Sequence, residues 1–128
     1  MESMFAPVPR GARLTVSLTL GEPSVVTVAG EVDLDGVGPV RDAVDRALDH
    51  HPHLVFDLAG VSFGDSTFLS TLLQARLHAL ERSGSVILLA PSTPVLRVLT
   101  ITGALELFPV MNQEERRQAE PRRDLGVS

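Results

Sequence analysis

Cysteine is missing from all 128 residues, which removes disulfides, thiolate metal sites and cysteine nucleophiles from consideration. Lysine is missing too, so each of the 11 basic residues is an arginine. Tryptophan and tyrosine are absent, and five phenylalanines leave little for base stacking or sugar-ring contacts. Positive charge is in deficit, with a formal net charge of -5. Phosphate-backbone binding is driven by clustered Lys and Arg, whereas these arginines are scattered, so no nucleic-acid partner is expected. No apolar run approaches the ~18 residues that cross a bilayer. The opening Met1 to Gly11, with Glu2 early and two prolines, has neither the basic start nor the continuous apolar stretch of a secretory leader. No membrane partner is expected, and a reducing, cytoplasmic setting fits.

What is present is enough for one domain: 44% of the residues are hydrophobic, in a chain too short for two such cores. Leu14, Val16, Leu18 and Leu20 alternate with polar neighbours, the period of a strand with one wet face. Turn chemistry at Gly21-Glu22-Pro23-Ser24 leads to a second strand at Val25 to Ala29, hairpin-paired with the first. From Pro39, suited to a first helical turn, Val40, Ala43, Val44, Ala47 and Leu48 recur at helical spacing until His50-His51-Pro52-His53.

Leu54 to Leu58 reads as a strand buried on both faces, and Gly60 to Gly64 as the loop after it. Leu69, Leu72, Leu73, Leu77 and Leu80 form a helical stripe read as core, closed by Gly84 in the left-handed position. Val86 to Ala90 is a further buried strand, Ser92-Thr93-Pro94 caps a short helix ended by Gly103, and Leu105 to Val110 is a last short strand. Helices alternating with apolar strands predict an α/β fold: a mixed sheet of four to five strands, an opening hairpin followed by parallel β-α crossovers. Residues 1–11 are expected to be a flexible N-terminal segment, 12–112 the domain, and 113–128 a charged, partly disordered tail.

One stretch asks for more than folding. Asp65-Ser66-Thr67, between Phe63 and Phe68, stands where the leucine stripe begins, at a helix N-terminus on the carboxyl side of a strand. In open α/β sheets that edge is where ligands and partners are met. Capping of the helix by Asp65 or Ser66 would account for one side chain of the three, at about 1 kcal/mol. It leaves the acidic loop of Glu31, Asp33 and Asp35 unexplained, unless that loop is simply solvated.

These residues resemble a known family. Val28-Ala29-Gly30-Glu31-Val32-Asp33 is similar to the opening G-E-[LVI]-D signature of the STAS domain, in particular of the anti-sigma factor antagonists of bacteria. Leu54 to Phe63 resembles the strand before the family's switch, Asp65-Ser66-Thr67 its D-S-[ST], and Pro91 to Leu99 with Thr102 to Leu105 its third-helix region. The resemblance covers residues 12 to 112. It implies that Ser66 is phosphorylated by an anti-sigma factor that is also a serine kinase. Binding to that partner is implied for the unmodified form, with phosphorylation ending it and a serine phosphatase restoring it. Glu31, Asp33, Asp65, Thr67 and Phe68 are then candidate partner contacts on a monomeric, non-enzymatic module without a cofactor. Members of the family usually carry Gly where this chain has Phe68. Either Phe68 packs inward, or it is an exposed contact for a particular partner, or no kinase modifies this chain. The alternative implied by the same resemblance is a non-phosphorylated scaffold or ligand-sensing module.

Other chemistries fit less well. Asp57 ends a buried strand as a receiver phosphoacceptor does, but that chemistry normally uses a lysine, and there is none. Ser66 lies outside a G-x-S-x-G elbow and far in sequence from the histidine cluster, which disfavours a hydrolase. Pro52 interrupts His50, His51 and His53, and no acidic or cysteine partner stands at a metal-binding spacing, so a solvated turn is expected there.

Overall fold

Leu14, Val16 and Leu18 turn one way and Thr15, Ser17 and Thr19 the other in the computed structural model, which describes residues 14–33 and 36–115; they form strand β1 (Leu14–Thr19). The hairpin follows as β2 (Ser24–Val32), antiparallel to β1, with Val16 opposite Val28 and Leu18 opposite Val26. Ser24 is fully buried at this turn, and its hydroxyl both donates to Gly21 O and accepts from Gly21 N–H. A buried polar group satisfied in this way costs little.

The chain then runs through α1 (Val37–His50), β3 (His53–Gly64), α2 (Ser66–Glu81), β4 (Ser85–Leu89), α3 (Thr93–Thr102), a 3-10 turn (Ala104–Leu107) and β5 (Val110–Met111). The five strands lie in sequence order, β2 through β5 mutually parallel, with β3 in the centre. The expected α/β class and mixed sheet are therefore present. Helix α1 packs against β1, β2 and β3, and α2 against β3, β4 and α1. All five expected apolar positions of α1 are buried, together with Val37. They meet Val16, Leu18, Val26, Val28, Phe56 and Leu88 from the sheet in one core. Burying each such side chain contributes about 1.5–3 kcal/mol.

Several expectations change. The stretch 60–64 is strand, not loop: β3 continues to Gly64, paired with β2 as far as Val32. Two bulges disguise it. Between Thr27 and Ala29, and again between Gly30 and Glu31, β3 carries an extra residue against β2. The buried positions of β3 accordingly pass from Leu54, Phe56 and Leu58 to Val61 and then to Gly64, changing parity twice. Asp57 stands inside this strand, not at its end, and its carboxylate accepts from Ala59 N–H at 3.2 Å beside the first bulge.

Gly84 is not the left-handed residue. That conformation falls on Ser83, with φ 60°, while a Cβ on Gly84 would stand 1.8 Å from the Pro52 carbonyl oxygen. Gly103 does close α3 at φ 78°. Ser92 is the N-cap residue of α3, yet its side chain makes no capping bond. In place of one strand from 105 to 110 there are the 3-10 turn and the two residues of β5. The expected N-terminal segment lies outside the described residues, as does the tail from 116 on. Before that point, Asn112 N–H donates to Glu115 Oε1 at 2.8 Å and Glu115 N–H to Asn112 Oδ1 at 2.6 Å, a reciprocal capping box.

Candidate functional site

Parallel pairing brings the two sequence motifs together. Glu31 is the register partner of Phe63 and Val32 of Gly64, so the chain leaves β2 at Asp33 beside the point where it leaves β3 at Asp65. Neighbouring strands are about 4.8 Å apart, and the acidic loop and the serine loop therefore share the carboxyl edge of the sheet.

Each loop is stiffened by its own aspartate. Asp65 is the N-cap of α2: Oδ1 accepts from Thr67 N–H at 2.9 Å and from Phe68 N–H at 3.2 Å, while its carbonyl accepts from Leu69 N–H. The capping expectation holds, and it belongs to Asp65. Thr71, buried one turn on, donates its hydroxyl to Thr67 O at 2.9 Å and ties the first turn down further. Asp33 is exposed and accepts the Gly36 N–H with both its backbone oxygen and Oδ1, shaping the turn that enters α1. Glu31 is half-buried, and Asp35 lies outside the described residues.

Ser66 is the first residue of α2, and it is exposed, with Thr67 half-buried behind it. Its hydroxyl is thus open to solvent on a backbone held by Asp65. Because the Asp65 carboxylate already occupies two of the first-turn N–H donors, an anion on Ser66 would not find that helix terminus vacant.

Phe68 is not an exposed contact. It is 3% exposed and part of the core, so the partner-contact reading of this residue is withdrawn. Gly64 provides the room: a Cβ there would stand 2.6 Å from Phe68 Cδ2. Phe63 takes the outward place, at 50% exposure. Sequence alternation would set Phe63 on the same side as buried Val61. The second bulge falls between them and reverses it.

Two of the histidines serve the turn between α1 and β3. His51 Nδ1 accepts from His53 N–H at 3.1 Å and His53 Nδ1 lies 2.9 Å from Ser85 Oγ. Among the described residues no three His, Asp or Glu side chains are grouped to hold a metal.

Residues 16–109 match the family model described as Mlab, STAS domain. The chain belongs to the STAS domain family. This STAS domain is similar to the anti-sigma F factor antagonist of Paenibacillus polymyxa, at 26% identity over 92 residues, 70% of this chain and 79% of the relative. It is also similar to the solved anti-sigma factor antagonist of Mycobacterium paratuberculosis, with 26% identity and a TM-score of 0.65 over 77% of this chain and 85% of that one. SpoIIAA in its unphosphorylated form shares the fold with a TM-score of 0.69 at 22% identity, over 89% of this chain and 99% of that one. In the described residues no helix is long and apolar enough to cross a membrane.

Proposed function

We propose that this chain is an anti-sigma factor antagonist that binds an anti-sigma factor/serine kinase while Ser66 is unmodified. Transfer of the γ-phosphoryl group of ATP to Ser66 Oγ, with release of ADP and a proton, ends the binding. A serine phosphatase reverses it by hydrolysis. The observation that carries the reading is the exposed Ser66 hydroxyl on a capped helix start, beside the Glu31 and Asp33 loop. Similarity to named anti-sigma factor antagonists supports it.

The capping geometry says how such a switch would act. A phosphate brings about -1.5 to -2 charge, and three acceptor oxygens, to the residue next to Asp65. The macrodipole favours an anion there, but the Asp65 carboxylate repels it and holds the Thr67 and Phe68 donors. With attraction and repulsion opposed inside the molecule, the fold is spared and the phosphate is directed outward. The partner meets it together with Asp65, Asp33 and Glu31. Each ~1.4 kcal/mol of lost contact or repulsion weakens binding tenfold, so a few kcal/mol make an on/off switch. No step of the switch needs catalysis by this chain.

Phosphate incorporation by an anti-sigma factor/serine kinase tests the reading directly. Wild type and Thr67→Ala are expected to be labelled and Ser66→Ala not, and equal labelling of the alanine variant at 66 would overturn the assignment. In titrations, Ser66→Ala keeps wild-type affinity and Ser66→Asp loses it.

A further inference from the structure

We infer that α2 is a self-association surface: two copies of this chain pair their α2 helices side by side and parallel, about a twofold axis that runs along them. The inference goes beyond the switch proposed above and does not depend on it. The neighbours of α2 define which side is left open. Phe68, Leu72, Ala75 and Ala79 face the core. Helix α1 lies on one flank, where Arg82 meets Asp49 at 3.5 Å, and the 3-10 turn on the other, where Arg76 Nε donates to Leu107 O at 3.0 Å. The side away from the core carries Leu73, partly buried, then Leu77 and Leu80 at 54% and 49% exposure.

Spacing and charge specify the occupant. Leu73, Leu77 and Leu80 follow one another at intervals of four and three, the rhythm of a two-stranded coiled coil with Leu77 at position a and the other two at d. In that frame Arg76 is the g residue and Glu81 the e residue that follows it. Parallel pairing sets g of one helix beside the next e of the other, so Arg76 of each copy meets Glu81 of its mate. Antiparallel pairing would set arginine against arginine on one flank and glutamate against glutamate on the other. Both charges are available. Arg76 engages the Leu107 carbonyl through Nε alone, and Glu81, exposed, has no hydrogen bond or ion pair among the described residues. The face is thus complementary to itself, as a twofold contact requires. Before Leu73 the same stripe is polar, at Ser70 and Ser66, so the seam stops short of the switch serine. An interface this short falls below the ~1,200 Å² of stable complexes and belongs to the weak, reversible class, with a Kd on the order of 100 µM.

Sedimentation equilibrium of the purified full chain, from about 10 µM to about 1 mM, reads the association. The wild type is expected to pass from monomer to dimer across that range. Leu77→Glu and Glu81→Arg, both at exposed positions that leave the fold intact, should each weaken the dimer, the first at least about tenfold. Phe63→Ala removes an equally exposed apolar group far from the seam and should associate as wild type. The chain has no cysteine of its own, so single cysteines report which residues meet. Under mild oxidation Leu77→Cys and Leu80→Cys should each cross-link to a copy of itself faster than His78→Cys, one position off the seam. A wild type that stays monomeric to about 1 mM would refute the surface, whatever else α2 then binds. So would an undiminished dimer in Leu77→Glu, or an equal loss in Phe63→Ala. Cross-linking of Leu77→Cys with Leu80→Cys faster than of either alone would overturn the parallel pairing, because those positions face each other only in an antiparallel pair.

Discussion

The two halves of β3 are built to different rules. In the first half, to Leu58, the strand is regular, with Leu54 to Asp57 paired to both β2 and β4 at successive residues, and its alternate side chains Leu54, Phe56 and Leu58 are fully buried. From Ala59 to Gly64 it runs past the end of β4, pairs with β2 alone and carries both bulges. The first half is where the core is made. The second spends regularity on direction, turning Phe63 outward and Phe68, at the start of α2, inward over Gly64. A scaffold and an aiming device thus occupy one strand, and substitutions in the two halves should fail in different ways.

The largest effect belongs to the regular half. Phe56 is fully buried in the central strand, and Phe56→Ala should cost about 3–5 kcal/mol, read as a lowered midpoint of urea unfolding. Any kinase binding lost by this variant should return in proportion to the folded fraction. A loss of affinity in fully folded protein would mean that the regular half also shapes the switch.

The bulged half should respond through a specific pair. Gly64→Ala drives a Cβ to 2.6 Å from Phe68 Cδ2, an overpacking that costs about 1–3 kcal/mol. In a Phe68→Ala background the obstacle is gone. Adding Gly64→Ala should then be nearly neutral, although Phe68→Ala alone is itself strongly destabilising. A double-mutant cycle on unfolding free energies checks this, and additivity within ~0.5 kcal/mol would show that the two residues do not share the space.

The same division explains what could be read from the sequence. Where periodicity was undisturbed, in β1, β2, α1, the first half of β3 and β4, the amino acids announce the elements, and the parallel order follows from helices set between apolar strands. The α/β class was legible for that reason, whereas Ser66 was singled out by the resemblance of Asp65-Ser66-Thr67 to the family's D-S-[ST]. Bulges leave no mark in composition. Ala59 to Gly64 therefore looks like a loop, and the exchange between the two phenylalanines around the triplet is invisible. Helix α2 misled in another way, because it has two apolar faces. Phe68, Thr71, Leu72, Ala75 and Ala79 are the buried one, while Leu77 and Leu80 stand 54% and 49% exposed. Leucines at helical spacing look more like a core than a row containing two alanines does. The short side chains win because they allow α2 to approach the sheet and α1 closely.

The smallest effect sharpens the role of Asp65, which stands at the boundary between the bulged half and α2. As a cap it is worth about 1 kcal/mol, so Asp65→Ala should lower stability by that amount. Asn caps as well as Asp does, so Asp65→Asn should hold Thr67 and Phe68 N–H and leave the unfolding midpoint nearly unchanged. The asparagine variant then carries one fewer negative charge beside Ser66 on an intact helix start. If Asp65 contributes to the partner only by fixing the backbone, Asp65→Asn should match wild type in affinity and Asp65→Ala should not. If its charge faces basic groups of the partner, both variants should bind more weakly, and the deficit of the asparagine form should fade as salt is raised. Titrations at two ionic strengths, set beside urea unfolding of the same proteins, separate the cap from the contact.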